Sequence, residues 1–304
     1  MQFELLPPVP AVVLADNLRQ IPLFSFVGVD ELFRISSIAR QVRHEEGRTI
    51  QEEGAPVEYI QVLVEGKIRV SGKHREEEEV GPPTLFGFRE VLEGAPLRET
   101  ALAVETSICL AIASEEFRVL LSDNIELAQG LFRMLLSAPS GNARPSLRQR
   151  AVHPEERPLV TGVGEELKPI EKVLLLQELP VFSRTTAEEL LALTAIAQEL
   201  PLVKGERIFG EGDQPAIHII LSGELSVEPP EDTGGGAFVV KAGDALGIDE
   251  TLAGTPFGWR GNVIREGLAL RIERERLFEV LADHADLLQG LFSSLFQSEP
   301  GPST

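Results

Sequence analysis

The chain has 304 residues, a formal net charge of −20 and an apolar fraction of 43%, which suits packed cores in about two domains and excludes disorder throughout. Its single cysteine, Cys109, excludes an internal disulfide framework and fits a reducing compartment, and the five scattered histidines form no metal-ligand cluster with it. Residues 1–136 carry 13 basic and 22 acidic side chains (net −9), residues 137–166 carry 4 and 4, and residues 167–304 carry 11 and 22 (net −11). Both halves would repel a phosphate backbone, so nucleic acid is not an expected partner.

In chain order, the N-terminal "MQFELLPPVPAVVLADNLRQ" has an apolar patch but no basic region before it, so no signal peptide is expected. Apolar runs such as "VLLLQ" and "IHIILSG" fall far short of the roughly 18 residues of a membrane span. A cytoplasmic protein without membrane insertion is the expectation. After "IPLF", the spacing of Leu32, Ile35 and Ile38-Ala39 predicts an amphipathic helix. "GRTIQEEG" and "YIQVLVEGKIRVSG" read as strands punctuated by glycine. The run Glu76–Glu79 reads as a solvated hairpin loop. A helical turn is predicted around "REVLEG", further strands in "TALAV" and "ICLAIA", and terminal helices in "SEEFRVLLSDNIELAQGLFRMLL". The segment 137–166 reads as a linker, and Arg144, Arg148, Arg150 and Arg157 in it are the one basic concentration, able to dock on an acidic face or to remain solvated.

The rest of the chain repeats the first part. "IPLFSFVGVDELFRISSIA" (21–39) aligns without a gap with "LPVFSRTTAEELLALTAIA" (179–197), "VLVEGKIRV" (62–70) with "IILSGELSV" (219–227), and "FGFREVLEGAP" (86–96) with "LGIDETLAGTP" (246–256). "LSDNIELAQGLFRML" (121–135) aligns with "LADHADLLQGLFSSL" (281–295). The expected organisation is a first domain at 1–136, the linker, and a second domain at 167–304, each a β-roll or barrel with flanking helices.

The order of these elements, seen twice, resembles the cyclic nucleotide-binding domain superfamily. The resemblance implies a mainly β fold with flanking α-helices: two tandem jelly-roll-like β-rolls. It also implies a ligand cassette of the form Phe-Gly-Glu-Leu/Ile-Ala-Leu-Leu followed by Pro-Arg-Ala-Ala-Thr/Ser. There, backbone N–H groups of a short helix meet the cyclic phosphate, an Arg pairs with that phosphate and a Glu accepts from the ribose 2′-hydroxyl.

Mapped onto this chain, the first cassette comprises Phe86, Gly87, Phe88, Glu90, Leu97, Arg98 and Thr100, and the second Leu246, Gly247, Ile248, Glu250, Phe257 and Arg260. Both depart from the pattern at both reading positions. Phe88 and Ile248 stand where the ribose Glu belongs, and Leu97 and Phe257 where the phosphate Arg belongs. The shaping residues Gly87, Gly94 and Pro96, with their partners Gly247, Gly254 and Pro256, are kept. Arg98 lies one residue past the Arg position and Arg260 three past, so a local shift would bring Arg98 to the phosphate; otherwise it is solvated or pairs with Glu93 or Glu99.

The expectation is therefore a non-enzymatic regulatory or scaffold protein, without a cofactor or metal, that acts through a protein partner, either another copy of this chain or a different protein. The alternative is a sensor of a cyclic nucleotide or other small ligand acting in trans. No phosphate loop, nucleophile elbow or zinc-protease motif is present in the sequence, His218 reads as structural and Cys109 as a buried strand residue. At helical spacing, Leu131, Phe132 and Leu135, and Leu291, Phe292 and Leu295, form apolar faces expected to cover the cassette's Phe88 or Phe257, the equivalent helix, or a partner. Arginine outnumbers lysine 22 to 6, a bias pointing to a GC-rich, bacterial source.

Overall fold

A computed structural model describes residues 4–21, 24, 27–73, 75–137, 149–150, 167–182, 185–228 and 236–297. The chain divides into two compact units, Met1–Met134 and Leu135–Thr304. Of the expected linker, only residues 137 and 149–150 are among the described residues.

The first unit opens with β1 (Glu4–Leu5), α1 (Ala11–Arg19) and α2 (Val29–Ile38). There follow β2 (Ala39–His44), β3 (Thr49–Gln51), β4 (Tyr59–Glu65), β5 (Ile68–Gly72), β6 (Arg75–Val80) and β7 (Thr84–Phe86). The short α3 (Phe88–Glu93) precedes β8 (Thr100–Ala103) and β9 (Ser107–Ala113), and α4 (Ser114–Ser122) and α5 (Ile125–Ser137) end the repeat. One sheet has the order β1-β2-β9-β4-β7, the other β3-β8-β5-β6. Alternation decides what fills the space between them: Val42, Ile50, Leu63, Ile68, Val70, Phe86, Ala101, Ala103, Cys109 and Ala111 form the roll interior. The intervening Ile60, Val62, Leu110 and Ile112 are buried as well, on the opposite face of their strands from that interior. Burial also raises the Cys109 thiol to about 12, so it is a small core hydrophobe.

The second unit contains β10 (Gln149–Arg150), α6 (Pro169–Gln177), a 3-10 turn (Pro180–Phe182), α7 (Ala187–Ile196), β11 (Gln198–Leu202), β12 (Arg207–Phe209), β13 (Ala216–Glu228), β14 (Phe238–Lys241) and β15 (Asp244–Leu246). It ends with α8 (Ile248–Ala253), β16 (Arg260–Glu273), α9 (Arg274–Asp283) and α10 (Ala285–Gln297). Long β13 and β16 each do the work of two strands of the first unit and pair along most of their length. Gly223 (φ +85) kinks β13 where a Cβ would come within 2.7 Å of the Arg265 carbonyl oxygen. Gly66 (φ +98) makes the equivalent bend, with the Ser107 Cα 2.7 Å from the position of a Cβ.

Two local readings of the sequence are corrected. Glu76–Glu79 lie not in a loop but in β6, an edge strand paired with β5. Arg69 on β5 meets Glu77 at 3.3 Å and Glu79 at 3.0 Å, and Lys67 meets Glu79 at 3.7 Å. Cross-strand pairing thus offsets the repulsion of four successive carboxylates, and a charged edge resists further strand addition. The basic segment is likewise not all linker, because Gln149–Arg150 pairs antiparallel with Ala245 and Asp244 of β15.

Candidate functional site

Each cassette is a six-residue helix held between two left-handed glycines. Gly87 (φ 75) and Gly94 (φ 67) bracket α3, and Gly247 (φ 78) and Gly254 (φ 70) bracket α8. Such backbone favours glycine because other residues meet their own carbonyl there.

Backbone hydrogen bonds put the two cassettes in one-to-one correspondence. The Gly54 N–H donates to the Leu97 carbonyl (2.7 Å) as Gly212 does to Phe257 (2.8 Å), and the Leu97 N–H donates to Ala55 as that of Phe257 does to Asp213. Ala95 donates to Glu90 as Thr255 does to Glu250, and Val91 to Gly87 as Thr251 to Gly247. Leu97 and Phe257 therefore occupy the same backbone position, with no local shift between the repeats, and both are buried.

Arg98 points elsewhere. Its guanidinium pairs with Glu93 at 2.6 Å and is half exposed, while Arg89 approaches the same carboxylate at 3.4 Å. In the other repeat, Arg260 begins β16 opposite Glu228 and alternates out of phase with Val263, which lines the roll interior. Thr100 is a structural acceptor, its Oγ1 bonded by the Glu53 N–H at 3.0 Å.

The reading positions are filled by apolar packing, differently in the two units. Phe88 turns to the helices: its ring meets Phe24 at 6.3 Å and Phe117 at 5.8 Å, both edge-on. Ile248 is buried at the same place in α8. Phe257 instead enters its roll. It stacks on Phe209 at 4.6 Å, lies 5.9 Å from His218, and its ring comes within 2.9 Å of where a Cβ on Gly247 would sit. His218, 5.4 Å from Phe209, is held near pKa 4 by burial and by the Arg271 charge, while its Nδ1 meets the Ala216 carbonyl at 3.1 Å. It is a neutral member of the packed cluster, as the sequence suggests.

The first roll has side chains of another kind at equivalent places. Gln51 aligns with Phe209, and Gln61 faces inward between Tyr59 and Leu63 on β4. Gln51 is buried, its Oε1 has no hydrogen-bond partner among the described residues, and it lies 3.7 Å from a Cβ position on Gly87. Burial lowers the pKa of His44, an effect opposed by the side chain of Gln61. Sequence reasoning passed over these polar residues because a glutamine within a strand leaves no motif. The available signal was their alternation in phase with core positions.

Glu90 and Glu250 also correspond. Burial raises both, Glu250 to about 7, and the Glu250 Oε2 has no hydrogen-bond partner among the described residues. A carboxyl with a raised folded-state pKa contributes most below its unfolded value of 4.5, and that contribution is lost as pH rises through about 7. Glu250→Gln should therefore leave stability unchanged near pH 4 and raise it by about 1–3 kcal/mol above pH 7.5. Urea midpoints followed by Trp259 fluorescence at both pH values check this.

The apolar faces expected on the terminal helices are largely covered. Leu131, Phe132, Leu291 and Phe292 are buried, and only Leu135 and Leu295 remain partly exposed. In the second unit α10 packs on the Pro180–Phe182 turn and on α9, a cover not among those expected from the sequence. Among the described residues no helix is long and apolar enough to cross a membrane, and no group of His, Cys, Asp and Glu could hold a metal ion.

Residues 41–124 match the family model of the cyclic nucleotide-binding domain. Over 122 residues the chain is 28% identical to a Drosophila melanogaster cGMP-dependent protein kinase (isozyme 2 forms cD5/T2), the alignment covering 37% of this chain and 13% of the kinase. It is 30% identical over 113 residues to a cyclic nucleotide-gated potassium channel of Mesorhizobium japonicum, covering 37% of this chain and 31% of the channel. These relatives are thus much longer than the part the chain spans. A solved regulatory subunit of a cAMP-independent protein kinase A from Trypanosoma cruzi, bound to guanosine, is 15% identical, with a TM-score of 0.36 covering 94% of this chain and 89% of that one. Residues 41–124 thus match a cyclic nucleotide-binding domain, and the second unit repeats the cassette backbone of the first, bonded in the same way.

Proposed function

We propose that this chain is a non-enzymatic regulatory or scaffold protein whose two cassettes are kept for their shape and act through protein contacts. The observation that carries the reading is the pair Leu97 and Phe257: one backbone position, fixed by the same hydrogen bonds, with a buried apolar side chain in both repeats. A cyclic phosphate there would lose its guanidinium partner. The ribose hydroxyl would lose its carboxylate at Phe88 and Ile248. Two charge-assisted hydrogen bonds of about 1.5–3 kcal/mol each amount to roughly 3–6 kcal/mol, or more than a hundredfold in affinity. Calorimetry with cAMP and cGMP on the full chain should show no saturable heat at ligand concentrations up to about 10 μM. A saturable heat in that range would refute the reading.

A sensor role for the first unit is the second reading, favoured by the buried carboxamide oxygen of Gln51 beside Gly87. A ligand that donates a hydrogen bond without carrying a phosphate fits that oxygen. Binding abolished by Gln51→Leu would support this reading.

A further inference from the structure

We propose that the chain forms a two-fold dimer in which helix α2 of each copy packs on helix α7 of the other. This rests on the reading above that the units act through protein contacts, and it names the partner as a second copy of this chain. The observation behind it is an apolar stripe left open at the same place in both repeats. On α2, Val29, Phe33 and Ser37 follow one another at one-turn spacing and all three are exposed, Phe33 by 39%. On α7 the aligned Ala187, Leu191 and Ala195 are exposed as well, Leu191 by 50%. The residues these helices bury lie on another side: Leu32, Ile35 and Ser36 on α2, and Leu190, Leu193 and Thr194 on α7. A helix that is apolar on more than one side is normally covered on more than one. The adjoining helices repeat the pattern. Val12 on α1 and Ile170 on α6 stand at equivalent positions and are 53% and 60% exposed, and α1 packs on α2 as α6 does on α7.

Area says how many such contacts are needed. The exposed large apolar side chains come to about 300–400 Å² on each helix pair, the size of a functional patch. One contact between two such faces would bury about 700 Å² in total, short of the roughly 1,000 Å² of a specific interface. Two reciprocal contacts bury about 1,400 Å² and close the assembly at two chains. Charge sets α2 against α7 rather than like against like. Glu188 borders the α7 stripe, and α7 has no basic residue, whereas Arg34 and Arg40 border the α2 stripe, with Asp30 also beside it. Two copies of α7 would bring Glu188 toward its own equivalent, while α7 on α2 brings it toward guanidinium groups.

Light scattering of the full chain over a range of concentrations should give twice the chain mass at about 50 μM. Phe33→Asp and Leu191→Asp should each raise the dissociation constant at least tenfold. Val239→Asp, which sets the same charge at an exposed valine on β14, should leave it unchanged. Phe33→Cys combined with Leu191→Cys locates the contact, because the native Cys109 is buried. Mild oxidation should give a covalent dimer whose peptide map joins position 33 of one chain to position 191 of the other. A monomeric mass at every concentration, a bond between positions 33 and 191 within one chain, bonds that join like positions, or Asp variants that dimerise as the unaltered chain does would each overturn the proposal. A monomer that binds no cAMP would overturn the dimer and leave the regulatory reading standing, and a dimer that binds cAMP would do the reverse.

Discussion

Phe88→Glu, which writes the ribose-binding carboxylate back into the first cassette, is expected to destabilise the first unit by about 4 kcal/mol or more and to confer no nucleotide binding. Phe88 is buried edge-on between Phe24 and Phe117. Replacement removes a large apolar side chain, a loss of about 3–5 kcal/mol in a core, and leaves a carboxyl without a partner among aromatic rings. Phe88→Leu keeps the site apolar and should cost roughly 1–2 kcal/mol. Urea unfolding followed by Tyr59, the single tyrosine and a member of the first unit, separates the two variants. A Glu variant within 1 kcal/mol of the unaltered chain would mean that position 88 is open, as a nucleotide site requires.

Gly247→Ala should be nearly as damaging, and more so than the same change at Gly87. Both glycines are left-handed, so any side chain meets backbone strain of about 1–2 kcal/mol. At Gly247 a Cβ would also stand 2.3 Å from the Ala216 carbonyl oxygen and 2.9 Å from the Phe257 ring. At Gly87 the nearest atoms are Val57 Cγ1 at 3.1 Å and the Tyr59 carbonyl at 3.2 Å. Forced repacking adds about 1–3 kcal/mol where atoms cannot move, which gives a total of about 2–5 kcal/mol at Gly247, against about 1–2 kcal/mol of backbone strain alone at Gly87. Trp259 packs against the second roll's core, so its unfolding midpoint reads the first figure. Equal losses at the two glycines would show that Phe257 does not fill its roll as described.

The fold was legible because the sequence carries it twice: residues kept at a fixed offset, above all the paired cassette glycines and Pro96 with Pro256, mark positions that only geometry explains. The apolar residues Phe88, Leu97, Ile248 and Phe257 at matching cassette positions were legible for the same reason. Side-chain direction was not. Phe88 and Phe257 are both aromatic substitutions in a cassette, yet one joins the helices and the other its roll, a choice made by Phe24 and Phe117 on one side and Phe209 on the other. The Glu76–Glu79 strand was illegible because Glu77 and Glu79 are balanced by Arg69 and Lys67, which only the folded hairpin brings beside them. β10 carries no strand signature at all, since its pairing is made by main-chain groups common to every residue. The terminal helix was read as amphipathic, but the part of its cover that comes from a 3-10 turn, with Val181 and Phe182 both buried, was not legible because that turn lies more than a hundred residues earlier in the sequence.

A crystal structure of the full chain soaked in millimolar cAMP tests most directly whether the cassettes are shapes without a nucleotide site. The account predicts Phe257 stacked on Phe209 over Gly247, Leu97 buried, Arg98 still on Glu93, and no density for a cyclic phosphate in either roll. A phosphate at the N–H groups following Gly87 or Gly247, with Arg98 or Arg260 turned toward it, would contradict the account.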